Sequence, residues 1–103
     1  MVEVALLKDV PPGTSKIVNV DGTFVAIFNV NGKIYAIDDS CPHAGGSLGS
    51  GRVEGTIVTC RSHGMKIDIT NGCFAHTSDF GVPSYPVMVI AGRIMVSVGE
   101  AEN

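Results

Sequence analysis

The chain has 103 residues, 45% of them hydrophobic and 17% charged, with a formal net charge of −3 and a pI near 5.4. This length is typical of one independently folding unit, so residues 1–103 are predicted to form a single domain. The acidic balance lacks the basic footprint that phosphate backbones and anionic membranes require, so neither nucleic acid nor a membrane is an expected partner.

Short β-branched runs separated by turn dipeptides predict an all-β fold, and no amphipathic helix is evident. The first three strands are predicted at residues 15–20, 23–30 and 33–37. The dipeptides between them, Asp21-Gly22 and Asn31-Gly32, suit type I′ turns because glycine adopts positive φ at little cost and Asp and Asn tolerate it. These runs predict a meander. Its second strand is expected to be central, because its apolar residues do not alternate with polar ones.

Further strands are predicted at residues 56–59, 66–69, 85–90 and 93–98, which makes seven or more. So many short strands are ordinarily buried in a sandwich or a closed barrel. Two long segments are predicted to be loops: residues 38–55, which hold five glycines, and residues 71–84, which are irregular and polar. Loops of this length usually carry function. The polar tail, 99–103, is expected to fray.

Two Cys-His pairs lie in and after the first long loop: Cys41 with His43, and Cys60 with His63. The spacing within each pair lets one tight loop aim both side chains inward, as metal ligands require. Three cysteines in a reducing compartment hold metal more readily than they form disulfides. Glycines flank both pairs, at positions 45, 46 and 64, where they let backbone N–H groups approach a bound group closely.

The pattern Cys41-x-His43, sixteen intervening residues and Cys60-x-x-His63-Gly64 resembles the Rieske cluster motif. The resemblance extends to the flanking runs and so covers most of the chain. It implies an all-β, Rieske-like antiparallel sandwich or barrel, with a small cluster-binding subdomain formed by two Gly-rich loops within about residues 38–68. It also implies one [2Fe-2S] cluster, with Cys41 and Cys60 on one iron and His43 and His63 on the other.

The resemblance is closer to the low-potential members of that family. Gly46 and Ser62 stand where high-potential members carry disulfide cysteines, and Met65 and Ile67 stand where those members carry serine and tyrosine hydroxyls. The implied function is a soluble one-electron carrier that is not itself an enzyme. It would pass electrons from a flavin-dependent ferredoxin reductase to the terminal oxygenase of a ring-hydroxylating dioxygenase system, through transient contacts with both partners.

Two other functions remain open from the sequence. The chain could be the small Rieske subunit of an assimilatory nitrite reductase. It could also be a zinc-stabilised interaction module, since two Cys and two His can hold Zn²⁺ tetrahedrally. Known zinc sites usually pair Cys with Cys and His with His, whereas this chain mixes them in each loop, which favours the cluster.

Several smaller features complete the predictions. Cys73 follows a turn dipeptide and is interpreted as a small buried residue, and His76 as a solvated loop side chain. Two positions depart from the commonest Rieske pattern: Arg61 stands where proline is usual, and Ile67 where an aromatic residue is frequent. Of the proline-bearing loop that often shields the cluster in that family, only Pro83 remains. The amino terminus has no basic segment followed by a long apolar one, so a cytoplasmic location is expected, together with a monomeric state.

Overall fold

A computed structural model of the chain describes residues 1–40, 47–60, 64–73 and 81–99. Ten strands lie in these residues: β1 (Val2–Leu6), β2 (Ser15–Val20), β3 (Thr23–Val30), β4 (Lys33–Asp38), β5 (Arg52–Glu54), β6 (Ile57–Thr59), β7 (Lys66–Asp68), β8 (Ser84–Tyr85), β9 (Val87–Ile90) and β10 (Arg93–Val96). The helical content of the same residues is one short 3₁₀ turn at Leu7–Asp9. The all-β prediction is confirmed. In the described part of the chain no helix is long and apolar enough to cross a membrane.

The two predicted hairpins form as their turn dipeptides indicate. Asp21 and Gly22 have φ of 51° and 90°, and Asn31 and Gly32 have φ of 54° and 93°, the positive values that a type I′ turn needs. In each turn the glycine N–H donates at 2.8 Å to the Oδ1 of an asparagine three residues earlier, Asn19 for Gly22 and Asn29 for Gly32. The meander β2-β3-β4 therefore follows from local turn chemistry.

The strands form three antiparallel sheets. Four strands in the order β2-β3-β4-β8 make the central sheet, with β1-β10-β9 and β5-β6-β7 as the other two. Five consecutive residues of β3, from Val25 to Asn29, are buried, so the prediction of a central strand covered on both faces is confirmed.

Two clusters of buried side chains lie against the central sheet. Alternate residues of β3 enter different clusters, Ala26 and Phe28 one of them and Val25 and Ile27 the other, as the two-residue period of a strand requires. The first, here called the Cys60 core, consists of Ala26, Phe28, Ile37, Leu48, Val58, Cys60, Ile67, Ile69 and Val82. The second, the Ile94 core, consists of Val10, Val20, Val25, Ile27, Ile34, Ala36, Tyr85, Ile94 and Val96.

Three features of the strand prediction were wrong. Strand β1 was missed, β5 lies inside a segment predicted to be loop, and the predicted strand 85–90 is divided at Pro86 into β8 and β9. All three residues of β5 are exposed, so no apolar alternation marks it. It forms because it pairs with β6 through a two-residue turn at Gly55-Thr56. Proline lacks the N–H that would continue a ladder, which explains the division at Pro86.

Candidate metal centre

Of the four predicted ligands, the structure describes Cys60. It follows β6 directly and is buried, with 1% of its surface exposed, in the core that bears its name. Cys41, His43 and His63 lie outside the described residues. So do Gly45 and Gly46, which were predicted to let the backbone approach the bound group. The structure therefore gives the environment of one ligand and the described flanks of both ligand loops.

The second ligand loop is closed by the β6-β7 hairpin. The Cys60 N–H donates to the Met65 carbonyl at 2.8 Å, and the Gly64 N–H donates to the Cys60 carbonyl at 2.9 Å. Gly64 has a φ of 68°, and none of the described residues places a heavy atom within 4 Å of where its Cβ would be. The left-handed backbone, rather than crowding, is what favours glycine here. The residues on either side of 61–63 are thus hydrogen-bonded to each other, and one of them, Cys60, is a predicted ligand.

The first ligand loop is closed in a similar way. Ser40 and Ser47 form an isolated antiparallel bridge, and the Leu48 N–H donates to the Asp39 carbonyl at 2.6 Å. The Asp39 side chain is buried, and its Oδ1 accepts the Ser47 hydroxyl at 2.9 Å and the Gly49 N–H at 2.7 Å. Sequence reasoning missed this carboxylate, since nothing in the sequence distinguishes it from the adjacent Asp38, which is only half-buried.

Asp38 links the start of the first ligand loop to the segment that precedes β9. Its Oδ1 accepts the Ser40 N–H at 2.9 Å, and its Oδ2 accepts the Tyr85 hydroxyl at 3.2 Å. Its own N–H donates to the Pro83 carbonyl at 2.9 Å. Burial, followed by the charge and the hydrogen bond of Asp38, raises the pKa of Tyr85 to about 12.

The described ends of three chain segments converge on the Cys60 core. Leu48 follows residues 41–46, Cys60 precedes residues 61–63, and Val82 follows residues 74–80, and all three side chains are buried there. Met65 packs against the same core. A buried sulfur at a hydrogen-bonded turn, among apolar side chains, suits a thiolate ligand to a cluster, because exclusion of water is one of the factors that set the reduction potential of a cluster.

The remaining candidates are placed less closely. Cys73 is half-buried, and its N–H donates to the Asn71 Oδ1 at 2.8 Å, which supports the turn reading; its partner in an antiparallel bridge is Gly81. His76 lies outside the described residues. Within the described ranges no three His, Cys, Asp or Glu side chains gather as a metal site would need, which is expected when three of four predicted ligands lie elsewhere.

Comparison with known proteins gives a family and close relatives. The family model described as the Rieske [2Fe-2S] domain matches residues 1–86. The ferredoxin component of the naphthalene 1,2-dioxygenase/salicylate 5-hydroxylase systems of Ralstonia sp. is 32% identical over 100 residues, which is 94% of each chain. Both findings cover most of the sequence, including every predicted ligand.

Solved structures agree with these relatives. The ferredoxin of carbazole 1,9a-dioxygenase from Nocardioides aromaticivorans IC177 is 29% identical, with a TM-score of 0.85 over 93% of this chain and 95% of that one. A chain in the complex of reduced oxygenase and oxidized ferredoxin of carbazole 1,9a-dioxygenase is 30% identical, with a TM-score of 0.88 over 99% of this chain and 95% of that one. The predicted antiparallel architecture is therefore confirmed.

Proposed function

Because the chain belongs to the Rieske [2Fe-2S] domain family, we propose that it is the ferredoxin component of a ring-hydroxylating dioxygenase system. It acts as a one-electron carrier and not as an enzyme by itself. The observation that carries the proposal is the 32% identity to a ferredoxin component over 94% of both chains. The family's cofactor is a [2Fe-2S] cluster, which decides against the structural zinc that the sequence left open.

The cluster would be held by Cys41 and Cys60 on one iron and by His43 and His63 on the other. When bound, it supplies reversible one-electron transfer at a potential set by its ligands and surroundings. The chain's own contribution is to aim four side chains from two closed loops and to exclude water from the thiolate side. Burial of Cys60 among apolar side chains supports that role.

The proposed partners are a flavin-dependent ferredoxin reductase, which donates the electron, and a terminal oxygenase, which accepts it. The complex of oxygenase and ferredoxin in carbazole 1,9a-dioxygenase supports the second partner, since a chain of that structure is 30% identical to this one. A carrier of this kind would meet both partners transiently in the cytoplasm, as a monomer.

A reconstituted dioxygenase assay tests the function. The purified chain replaces the ferredoxin in mixtures of NADH, a flavin-dependent reductase and each member of a panel of ring-hydroxylating oxygenases, and NADH-coupled product is measured. We expect product that depends on the chain with at least one oxygenase. Before the assay, two irons and two labile sulfides per chain and a Rieske-type EPR signal on reduction should be measured.

Two variants make the assay specific. His43→Ala should lose the Rieske signal and the coupled product, since it removes a proposed iron ligand. Cys73→Ser should keep both, because that cysteine is not among the proposed ligands. A chain that fails with every oxygenase but supports electron delivery to a sirohaem nitrite reductase would establish the nitrite reductase alternative instead. An unchanged spectrum in His43→Ala would overturn the ligand set.

A further inference from the structure

The Asp39 carboxylate lies close to the first ligand loop. Asp39 precedes the proposed ligand Cys41 by two residues, so their Cα atoms are at most about 7.6 Å apart. Only 8% of its surface is exposed. Burying a carboxylate is costly unless hydrogen bonds compensate it, so the partners of this side chain indicate what it does.

Among the described residues, the bonds that Asp39 accepts come from the other end of the loop. Its Oδ1 receives the Ser47 hydroxyl at 2.9 Å and the Gly49 N–H at 2.7 Å, and its carbonyl receives the Leu48 N–H at 2.6 Å. Three consecutive residues after the loop are therefore bonded to one residue before it. Asp39 joins the two ends of residues 41–46 as a clamp.

The clamp is fixed to the central sheet on both sides. The Asp39 N–H donates to the Phe24 carbonyl of β3 at 2.9 Å, and the Ser15 hydroxyl of β2 donates to the Gly49 carbonyl at 2.7 Å. Gly49 fits without clearance, because a Cβ there would lie 2.5 Å from the Ile17 Cγ1 and 2.9 Å from the Asp39 Oδ1. Only glycine allows this approach of backbone to carboxylate.

The clamp also reaches the second ligand loop through the core. Leu48, whose N–H bonds to Asp39, is fully buried and belongs to the same cluster of side chains as Cys60. Closely packed interiors transmit displacements, so moving Leu48 would disturb the surroundings of Cys60. One carboxylate thus connects the described flanks of both loops.

We propose that Asp39 is a positioning residue for the cluster: its hydrogen bonds hold residues 47–49 to the start of the first loop and thereby set Cys41 and His43 relative to Cys60 and His63. The proposal rests on the ligand set given under the proposed function. It assigns the effect to the acceptor capacity of Oδ1, which an asparagine in the same place would retain.

The test compares Asp39→Ala with Asp39→Asn in the cluster-loaded protein. Iron release to a chelator is followed by absorbance, and backbone hydrogen exchange is measured for the peptide that contains Leu48 and Gly49. Asp39→Ala should release iron about tenfold faster or more and lose protection at Gly49, since hydrogen bonds to a charged group are removed. Asp39→Asn keeps a neutral acceptor in the same place, whose hydrogen bonds are weaker than those of a carboxylate, so it should lie between wild type and Asp39→Ala in both measurements.

Two further variants keep the result interpretable. Ser47→Ala removes one of the two bonds to Oδ1 and should accelerate iron release about threefold, even if Asp39→Ala does not fold. Asn29→Ala removes a buried polar side chain that bonds to Val10 and Gly32, away from both loops. It should lower the melting temperature without changing iron release at temperatures where the protein stays folded.

The possible outcomes distinguish a failure of the Asp39 proposal from a failure of the proposed function. Wild-type release rates in both Asp39→Ala and Ser47→Ala would overturn the clamp, as would equal acceleration in Asp39→Asn and Asp39→Ala. Acceleration in Asn29→Ala equal to that in Asp39→Ala would reduce the effect of Asp39 to general stability. A wild-type chain that holds no [2Fe-2S] cluster would instead overturn the proposed ligand set.

Discussion

Tyr85 donates its hydroxyl to Asp38, and this contact is sensitive to alkaline pH. Its pKa is raised from 10 to about 12, first by burial and then by the Asp38 carboxylate. Because the folded state holds the phenolic proton more tightly than the unfolded state does, Tyr85 contributes stability that is complete below pH 10. That contribution is lost as the pH rises from 10 toward 12.

Replacing this tyrosine by phenylalanine tests the contact. Tyr85→Phe should lower the free energy of unfolding at neutral pH by about 1 kcal/mol, because one hydrogen bond is lost. Urea titrations at a series of pH values measure the rest. Between pH 10 and 12 the wild type should lose stability more steeply than the variant, so the two curves converge. Parallel curves over that interval would show that Tyr85 ionises alike in the folded and unfolded chain.

Among the secondary-structure elements, the hairpins set by their turn residues could be predicted from the sequence, whereas the strands that depend on a pairing partner could not. The hairpins at Asp21-Gly22 and Asn31-Gly32 follow from backbone preferences of the turn residues themselves, so the sequence alone indicates them. Strands β1 and β5 have no such signal. No residue of β1 is fully buried and all of β5 is exposed, and the two strands exist because β10 and β6 offer partners. Pairing partners far apart in the chain are decided by the tertiary fold.

The candidate site divides in the same way. The four ligands could be proposed from the sequence, because their residue types and spacing form a pattern there; the structure describes one of them, Cys60. The clamp could not, because Asp38 and Asp39 are adjacent and chemically identical. Asp38 is the last residue of β4 and Asp39 lies just beyond it, and their side chains have different surroundings, Asp38 near Tyr85 and Asp39 near Ser47. Which of two carboxylates is buried depends on what packs over each one.

We expect the side chains of Met65 and Ile67, just before and within β7, to affect the reduction potential. A cluster with two neutral imidazoles carries less negative charge than one with four thiolates, and hydroxyl donors near the sulfurs favour reduction further. Met65 and Ile67 offer no such hydroxyls. We therefore expect a midpoint potential toward the low end of the Rieske range, roughly −150 mV, measured by voltammetry. A value above about +100 mV would contradict this expectation.

Met65→Ser tests the missing donor at one position. One added hydrogen bond is worth about 0.5–1.5 kcal/mol, which raises a one-electron potential by about 20 to 60 mV. Met65→Ala is the matched control, since it removes the same side chain without adding a hydroxyl. The backbone bond from the Cys60 N–H to the Met65 carbonyl does not depend on the side chain. Ile67→Tyr is a poorer test, because Ile67 is fully buried and a larger ring would overpack the Cys60 core.

Across the whole molecule, the central sheet separates two cores that contact different parts of the chain. The Cys60 core joins the described flanks of the ligand loops, whereas the Ile94 core joins β1, β9 and β10 to the other face of the sheet. Each core contains a fully buried isoleucine, Ile67 in the first and Ile94 in the second. Stability should therefore depend on both cores, and the cluster mainly on one.

The same substitution made once in each core distinguishes effects on stability from effects on the cluster. Ile67→Val and Ile94→Val each remove one buried methylene, so each should lower the free energy of unfolding by about 0.5–1.5 kcal/mol in urea titrations. Ile67 is the register partner of Val58 and belongs to the same buried cluster as Cys60, so the space it leaves opens in the core that contains this proposed ligand. Ile67→Val should therefore broaden the EPR signal and speed iron release, while Ile94→Val leaves both as in wild type. Equal spectral changes at equal destabilisation would mean that the cluster responds to the stability of the whole fold. The expectation that the cluster depends mainly on the Cys60 core would then be wrong.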